Sequence, residues 1–326
     1  VRSEATPQSM VARGYAHRDA MGCHGLLPRN GAAHCIGGFT SAKGACAPSR
    51  GASSVARIIR PLRLPGAPIH PMNQPMIDHL TLLAAFDAML EPQRFKDYGP
   101  NGLQVEGRRS VRKLVSGVTA SLALIEAAIS QDADAIFVHH GLFWRGHDGR
   151  VTGWLRQRLA LLLAHDIHLF AYHLPLDAHP QWGNNAQLGQ RLGFEAQSRF
   201  GEQDLGWLGQ PQAGAFSDSQ ALADHVQSLL GRPVVMVAGK AGPVQRIAWC
   251  TGGAQSYFEA AIAAGVDAFI TGEISEPQAH YARECGVTFI ACGHHASERY
   301  GAPAVAGQVA EQFGIAHAFI DVDNPA

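Results

Sequence analysis

The fold turns on KLVSGVTASLALIEAAISQDADAIFVHHG, residues 113–141. Lys113–Val118 is short and apolar and reads as a buried strand. Ser121–Ser130 is rich in Leu, Ala and Ile and reads as a helix; Ala135–Val138 reads as a second strand. Strand, helix and strand in close succession form the repeating unit of an α/β domain. The same order returns without a gap in RIAWCTGGAQSYFEAAIAAGVDAFITGE, residues 246–273. Glu126/Glu259, Ala127/Ala260, Ala128/Ala261, Ile129/Ile262, Asp134/Asp267 and Ala135/Ala268 then coincide. A second register lays IHLFAYH (167–173) over VTFIACG (287–293). The expectation is an α/β protein of two related halves with mixed sheets. A site between the halves would collect strand ends from both.

Outward from this unit, 77–91 places Leu80, Leu83, Ala84, Met89 and Leu90 at helical spacing and stops before Pro92. Further helices are expected over 154–165, 184–192 and 219–230, the last capped at Ser217-Asp218. Strands are expected over 167–172 and 232–237. The first half is assigned to 72–198 and the second to 199–326, with the C-terminal segment packing back on the first.

The chain has 326 residues, 46% of them hydrophobic and 16% charged. General disorder is excluded, since it needs low hydrophobicity and high charge. The net charge of −1 does not suit a globally basic nucleic-acid binder. No apolar run is long enough for a membrane-spanning helix. Residues 1–71 stand apart, with net charge +7, seven Pro and nine Gly; the remainder carries −8. A basic tail and an Arg-rich transit peptide are alternatives for this segment. The preferred reading is an extension upstream of a true start at Met72 or Met76. The six cysteines show no C-x-x-C spacing. Cys250, Cys285 and Cys292 are therefore read as buried thiols in a reducing compartment, the cytoplasm.

Histidine is the unusual count, at 17. Three strands run into histidines: AIFVHHG gives His139 and His140; IHLFAYHLPLDAH gives His173, Asp177 and His179; VTFIACGHHASE gives His294, His295 and Glu298. Ligand sites of open α/β sheets lie at the carboxyl ends of strands. Adjacent side chains of a strand face opposite ways, so His139 and His140 share one site only beyond the strand; splayed, they suit two metals. On a helix after Gly293, His294 and Glu298 stand one turn apart on one face. Asp177 follows a Leu-Pro-Leu loop that fixes its direction. Three imidazoles and two carboxylates, without thiolate, suit two divalent ions of Zn, Mn, Fe, Co or Ni.

These residues resemble the Nif-three-like dinuclear metal-centre family, often labelled GTP cyclohydrolase 1 type 2 homologues. The segments that carry the resemblance include YGPNGLQVEG (98–107), DADAIFVHHGLFW (132–144), YHLPLDAHPQWGNNAQL (172–188), GVDAFITGEISE (265–276) and GHHASERYG (293–301). It implies the Nif-three-like fold without a long inserted domain. It also implies that His140 and Asp177 hold one ion, that His139 and His294 hold the other, and that Glu298 bridges both. A ring-shaped homohexamer is implied as well. His173, His179 and His295 become supporting residues, with His295 and His173 as candidates for proton transfer; Glu273 and Asn185 become pocket residues.

The function expected is a metal-dependent hydrolase acting on a nucleotide-like substrate through a metal-bridged water. Arg145, Arg299 and Lys240 are the candidate phosphate partners. The alternative is a non-catalytic metal scaffold or metal-delivery factor, or a nucleic-acid-associated ring.

Overall fold

The computed structural model describes residues 75–108 and 110–326; the expectation for 1–71 lies outside them. Two mixed sheets carry the chain. The first has the order Ala316–Phe319, Lys113–Thr119, Ala135–His140, His168–Ala171, Gly102–Val105, with only the last pair antiparallel. The second has the order Phe194–Phe200, Gly206–Pro211, Ile247–Trp249, Ala268–Thr271, Thr288–Ala291, Val235–Val237. Its three middle strands, from Ile247 onward, are parallel and the others run against their neighbours. The changeover between sheets follows the helix Asn184–Arg191, a little before the expected 198/199 boundary. The final strand returns to the first sheet, with Ala316 opposite Lys113.

The repeated unit supplies two parallel strands to each sheet and the second register a third, and one of the unit's shared residues has a visible task. Asp134 Oδ2 accepts the backbone N–H groups of Arg112 and Lys113 at 2.9 and 3.2 Å. Asp267 Oδ2 accepts those of Gln245 and Arg246 at 3.0 and 2.9 Å. In each half an aspartate before the second strand ties down the start of the first.

Strand alternation sorts the core of the first sheet onto two faces. Leu114, Phe137, Phe170 and Tyr172 pack with Leu82 and Phe86 of helix His79–Leu90 and with Val305 and Val309 of helix Gly301–Phe313. Val115, Ile136, Val138 and Leu169 pack with Leu124 of helix Leu122–Ser130 and with Leu155 and Leu162 of helix Gly153–Ala164. In the second sheet, Ile247, Trp249, Ile270 and Ile290 face helices Asn184–Arg191 and Ser219–Leu230. Ala248, Phe269 and Phe289 face Phe258 and Ala282. Each fully buried aromatic or aliphatic side chain contributes about 1.5–3 kcal/mol.

Two expectations are corrected. Helix His79–Leu90 buries His79, Leu82, Phe86 and Leu90, and Leu80 is exposed. Apolar residues surround this helix, so spacing alone did not select its inner face. Cys250 and Cys292 are buried, but Cys285, in the last turn of helix Glu276–Cys285, is exposed. Among the described residues, no helix is long and apolar enough to cross a membrane.

Candidate metal centre

Three chain segments deliver the predicted ligands to one place. His139 and His140 are the last residues of strand Ala135–His140, not residues beyond it. Both still reach the site because it lies across the strand's carboxyl end; their ring centroids are 4.5 Å apart, tilted by 47°. Asp177 lies on the short helix Leu174–Ala178, with Pro175 in its first turn. His294 and Glu298 open and close the helix His294–Glu298. The two short helices hold corresponding places, each just after the third strand of its half.

Glu298 is the centre of the cluster. Its Oε1 lies 3.4 Å from His139 Nε2, and its Oε2 lies 3.4 Å from His140 Nε2 and 3.2 Å from His294 Nε2. Asp177 Oδ1 lies 3.6 Å from His139 Nε2. The ligand atoms fall into the groups His139–Asp177–Glu298 and His140–His294–Glu298, each within 4.8 Å. This grouping crosses the one implied by the resemblance: Asp177 stands with His139, and His294 with His140. The neighbouring strands explain it. His139 leans toward Tyr172, from which the Asp177 helix departs, and His140 leans toward Thr119 on the other side.

Each of the three imidazoles is held through Nδ1, which leaves Nε2 for the centre. His139 Nδ1 donates to the Tyr172 carbonyl at 3.1 Å, and His294 Nδ1 donates to Glu273 Oε1 at 2.6 Å. His140 Nδ1 pairs with the Thr119 hydroxyl at 3.1 Å. Such partners fix ring orientation and tautomer in metal sites. Asp177 Oδ1 accepts from Asn184 Nδ2 at 2.9 Å and from the Thr251 hydroxyl at 3.1 Å. Asn185 holds the framework: its Oδ1 accepts the Thr251 N–H at 2.8 Å and its Nδ2 donates to the Asp177 carbonyl at 3.2 Å. Gly252, at φ +69°, lets the backbone approach Glu298; a Cβ there would collide with Oε1.

The residues fit a bound cation. His139 Nε2 and Glu298 Oε2 are buried without a hydrogen-bond partner. Orphaned polar atoms of this kind are costly unless something else satisfies them. The protonation pattern agrees. Burial alone would lower the His139 pKa, but Asp177 and Glu298 outweigh it and raise it to about 9. Burial likewise opposes charge on His294, and Glu298 and Glu273 raise it to about 9. His140 is pushed down to about 3, first by burial and then by its imidazole neighbours. Burial works to raise Glu298, yet the charge of His139 holds it well below the usual carboxylate range. Positive charge is thus favoured on both flanks of Glu298.

His173 is brought in and His295 is not. One ring nitrogen of His173 forms a third group with His139 and His140. Its Nδ1 lies 2.7 Å from Asp97 Oδ1, and Asp97 Oδ2 also accepts from Asn101 Nδ2 and from the Leu174 N–H, each at 2.9 Å. His295 Nε2 instead bonds Asp321 Oδ1 at 2.8 Å, on a separate surface. The expectation of proton transfer by His295 is therefore corrected: on a helix its side chain points about 100° away from that of His294. His179 Nδ1 accepts the Trp182 N–H at 2.9 Å and stays outside the cluster. Asp97, Asn184 and Thr251 escaped the sequence reading. YGPNG, which follows Asp97, and GNN lie in segments that carry the resemblance, but the partners of Asp97 and Asn184 are distant in the chain.

A cavity of about 230 Å³ opens beside the cluster, lined by Tyr98, His173, Asp177, Glu202, Cys250, Thr251, Ser256, Tyr257, His294 and Glu298 among others. None of the expected phosphate partners lines it. Arg299 donates to the Leu230 carbonyl, Lys240 pairs with Asp267, and Arg145 donates to the Asp97 carbonyl.

The chain belongs to the Duf34/NIF3 (NGG1p interacting factor 3) family, whose model matches residues 79–325. It is 52% identical over 253 residues to a Pseudomonas aeruginosa protein named GTP cyclohydrolase 1 type 2 homolog, covering 76% of this chain and 98% of that one. A protein of the same name from Neisseria meningitidis is 51% identical over 240 residues, covering 73% of this chain and 94% of that one. Among solved structures, protein ybgI, described as of unknown function, superimposes with a TM-score of 0.74 at 44% identity, over 77% of this chain and all of that one. A Thermus thermophilus protein gives 0.68 at 32% identity, over 77% of this chain and 100% of that one.

Proposed function

We propose that this protein is a metal-dependent hydrolase whose centre takes two divalent cations and acts on a small nucleotide-like substrate. One observation carries the reading. Glu298 presents one oxygen to His139 and the other to His140 and His294, and its buried Oε2, like His139 Nε2, has no hydrogen-bond partner. A carboxylate shared between two nitrogen- and oxygen-bearing groups is the donor set of paired cations. His139 and Asp177 would hold one, His140 and His294 the other, with Glu298 common to both; Zn, Mn, Fe, Co and Ni suit these donors. Bound cations supply Lewis acidity, which activates water and stabilises negative charge on a substrate oxygen.

The chain's own groups supply the rest. His173 lines the cavity with its ring fixed by Asp97, so it is the group placed to take and return a proton. Tyr98 and Tyr257 offer aromatic faces for a planar ring. With no Lys or Arg among the described lining residues, the side chains placed there address that ring rather than phosphates. The name GTP cyclohydrolase 1 type 2 homolog, borne by the relatives, agrees with a purine ring. A ring of six copies working in the cytoplasm belongs to the same proposal.

The test loads the protein with each divalent ion in turn and offers it a panel of nucleotides and nucleosides. Turnover that disappears in Glu298→Ala supports hydrolysis. Metal transfer to apo-acceptors without turnover on any member of the panel supports delivery and rejects it. Analytical ultracentrifugation reads the ring.

A further inference from the structure

The helix His294–Glu298 carries two of the proposed ligands yet has only five residues. A helix this short pairs few of its own backbone groups and has no stability of its own. Its position is set from outside. On the cavity side, Ser297 Oγ accepts the Gly252 N–H at 2.9 Å. On the opposite side lies the segment 320–326.

That segment starts in the first half and ends on the second. The Ile320 N–H donates to the Ser116 carbonyl at 2.9 Å, extending the pairing of strand Ala316–Phe319. Asp321 then takes His295 Nε2 on Oδ1 at 2.8 Å and Arg299 Nη1 on Oδ2 at 3.5 Å. The carbonyls of Pro325 and Ala326 accept Arg232 Nη2 and Nη1, each at 2.9 Å. The Ala326 carbonyl also accepts the His295 N–H at 3.2 Å, satisfying a free donor of the helix's first turn. Arg232 lies against Gly293, the φ +99° residue where strand becomes helix; a Cβ at Gly293 would meet its guanidinium.

We infer that residues 320–326 form a latch that holds His294 and Glu298 in register with His139 and His140, so that latch docking and metal loading reinforce each other. Asp321 and Arg232 are its positioning residues; neither is among the proposed ligands. The inference rests on the metal-centre reading above. Coupling between two sites is reciprocal: if docking strengthens metal binding by some factor, metal strengthens docking by the same factor.

The experiment titrates Zn²⁺ into the full chain and into Arg232→Ala, Asp321→Ala and Asp321→Asn, and follows hydrogen exchange in 320–326 with and without Zn²⁺. Both alanine variants should bind Zn²⁺ about tenfold more weakly, the scale of losses when a ligand's supporting partner is removed. Asp321→Asn keeps an acceptor for His295 and should stay within about threefold of the parent. In the parent, Zn²⁺ should slow exchange in 320–326 by a factor matching the affinity change, and it should do so less in Arg232→Ala. A segment with a merely structural role would lower the melting temperature and leave affinity and Zn²⁺-dependent exchange unmoved; that result overturns the latch. Should an alanine variant fail to fold, exchange in the parent still decides. A parent chain that takes up no Zn²⁺ overturns the metal centre and the latch together, whereas uptake indifferent to the segment overturns the latch alone.

Discussion

In the first half, strand Ala135–His140 ends on two imidazoles; in the second, the corresponding strand Ala268–Thr271 leads to Gly272 and Glu273. Likewise the helix Leu174–Ala178 corresponds to His294–Glu298, so Asp177 falls opposite Ser297. The backbones repeat and the chemistry does not. Where the first half has the proposed ligand His140, the second has Glu273, which supports His294. Where the first has the proposed ligand Asp177, the second has Ser297, which ties Gly252 in place. A duplicated frame has been divided between donors and the groups that aim them, and neither half alone holds a full set.

The severest challenge to this division falls at Gly252, whose first-half counterpart is Thr119. Gly252→Ala combines a side chain at φ +69° with a collision at Glu298. We expect metal affinity to fall by about two orders of magnitude or more with the circular dichroism spectrum unchanged; retained affinity would remove Gly252 from the centre.

Single ligand losses come next. His139→Ala and His140→Ala fall on different ones of the two groups that share Glu298. Each should lower the metal content from two to one per chain by elemental analysis, and loss of both ions in either variant would contradict the separate grouping.

The protonation pattern gives a pH prediction. In the metal-free chain His139 and His294 each titrate at about 9, one on each side of Glu298. Below that pH both hold a proton that a cation must displace. Affinity should therefore rise as pH climbs from about 7 toward 9, with roughly two protons released per chain at neutral pH. Calorimetry in two buffers of different ionisation enthalpy measures this, and an affinity flat over that range would contradict it.

A finer comparison sets the supports against each other. Glu273→Gln removes the charge behind His294 and should weaken binding about tenfold. Thr119→Val removes a neutral hydroxyl behind His140 and should cost only a few-fold. Equal effects would erase the contrast between charged and neutral support. The smallest expected effect on the centre comes from the shared aspartates. Asp134→Ala leaves two N–H groups without their acceptor and should destabilise the chain by about 1–3 kcal/mol in urea unfolding. The more exposed Asp267 should cost less.

Much of this was legible in the residues. Short apolar strands at 113–118 and 135–138 and the copy at 246–273 pointed to two α/β halves. His139, His140, Asp177, His294 and Glu298 stood out because histidine directly after an apolar strand is poor packing material. What stayed hidden depends on geometry across the chain. The crossed grouping comes from which neighbouring strand each imidazole leans on. Asp97 reaches His173 from a distant turn. The orientation of His295 was in principle readable: the helical spacing that aligns His294 with Glu298 turns its neighbour away.

The strand Ala316–Phe319, seated beside Lys113–Thr119, has a consequence for biosynthesis. A chain emerging from the ribosome presents His139 and His140 early, but the edge of their sheet stays open until Ala316–Phe319 has been made. Non-local closure of this kind is slow and comes late. In the proposed centre, ion uptake would then follow completion of this sheet, and a product truncated before Ala316 should take up less metal than the full chain.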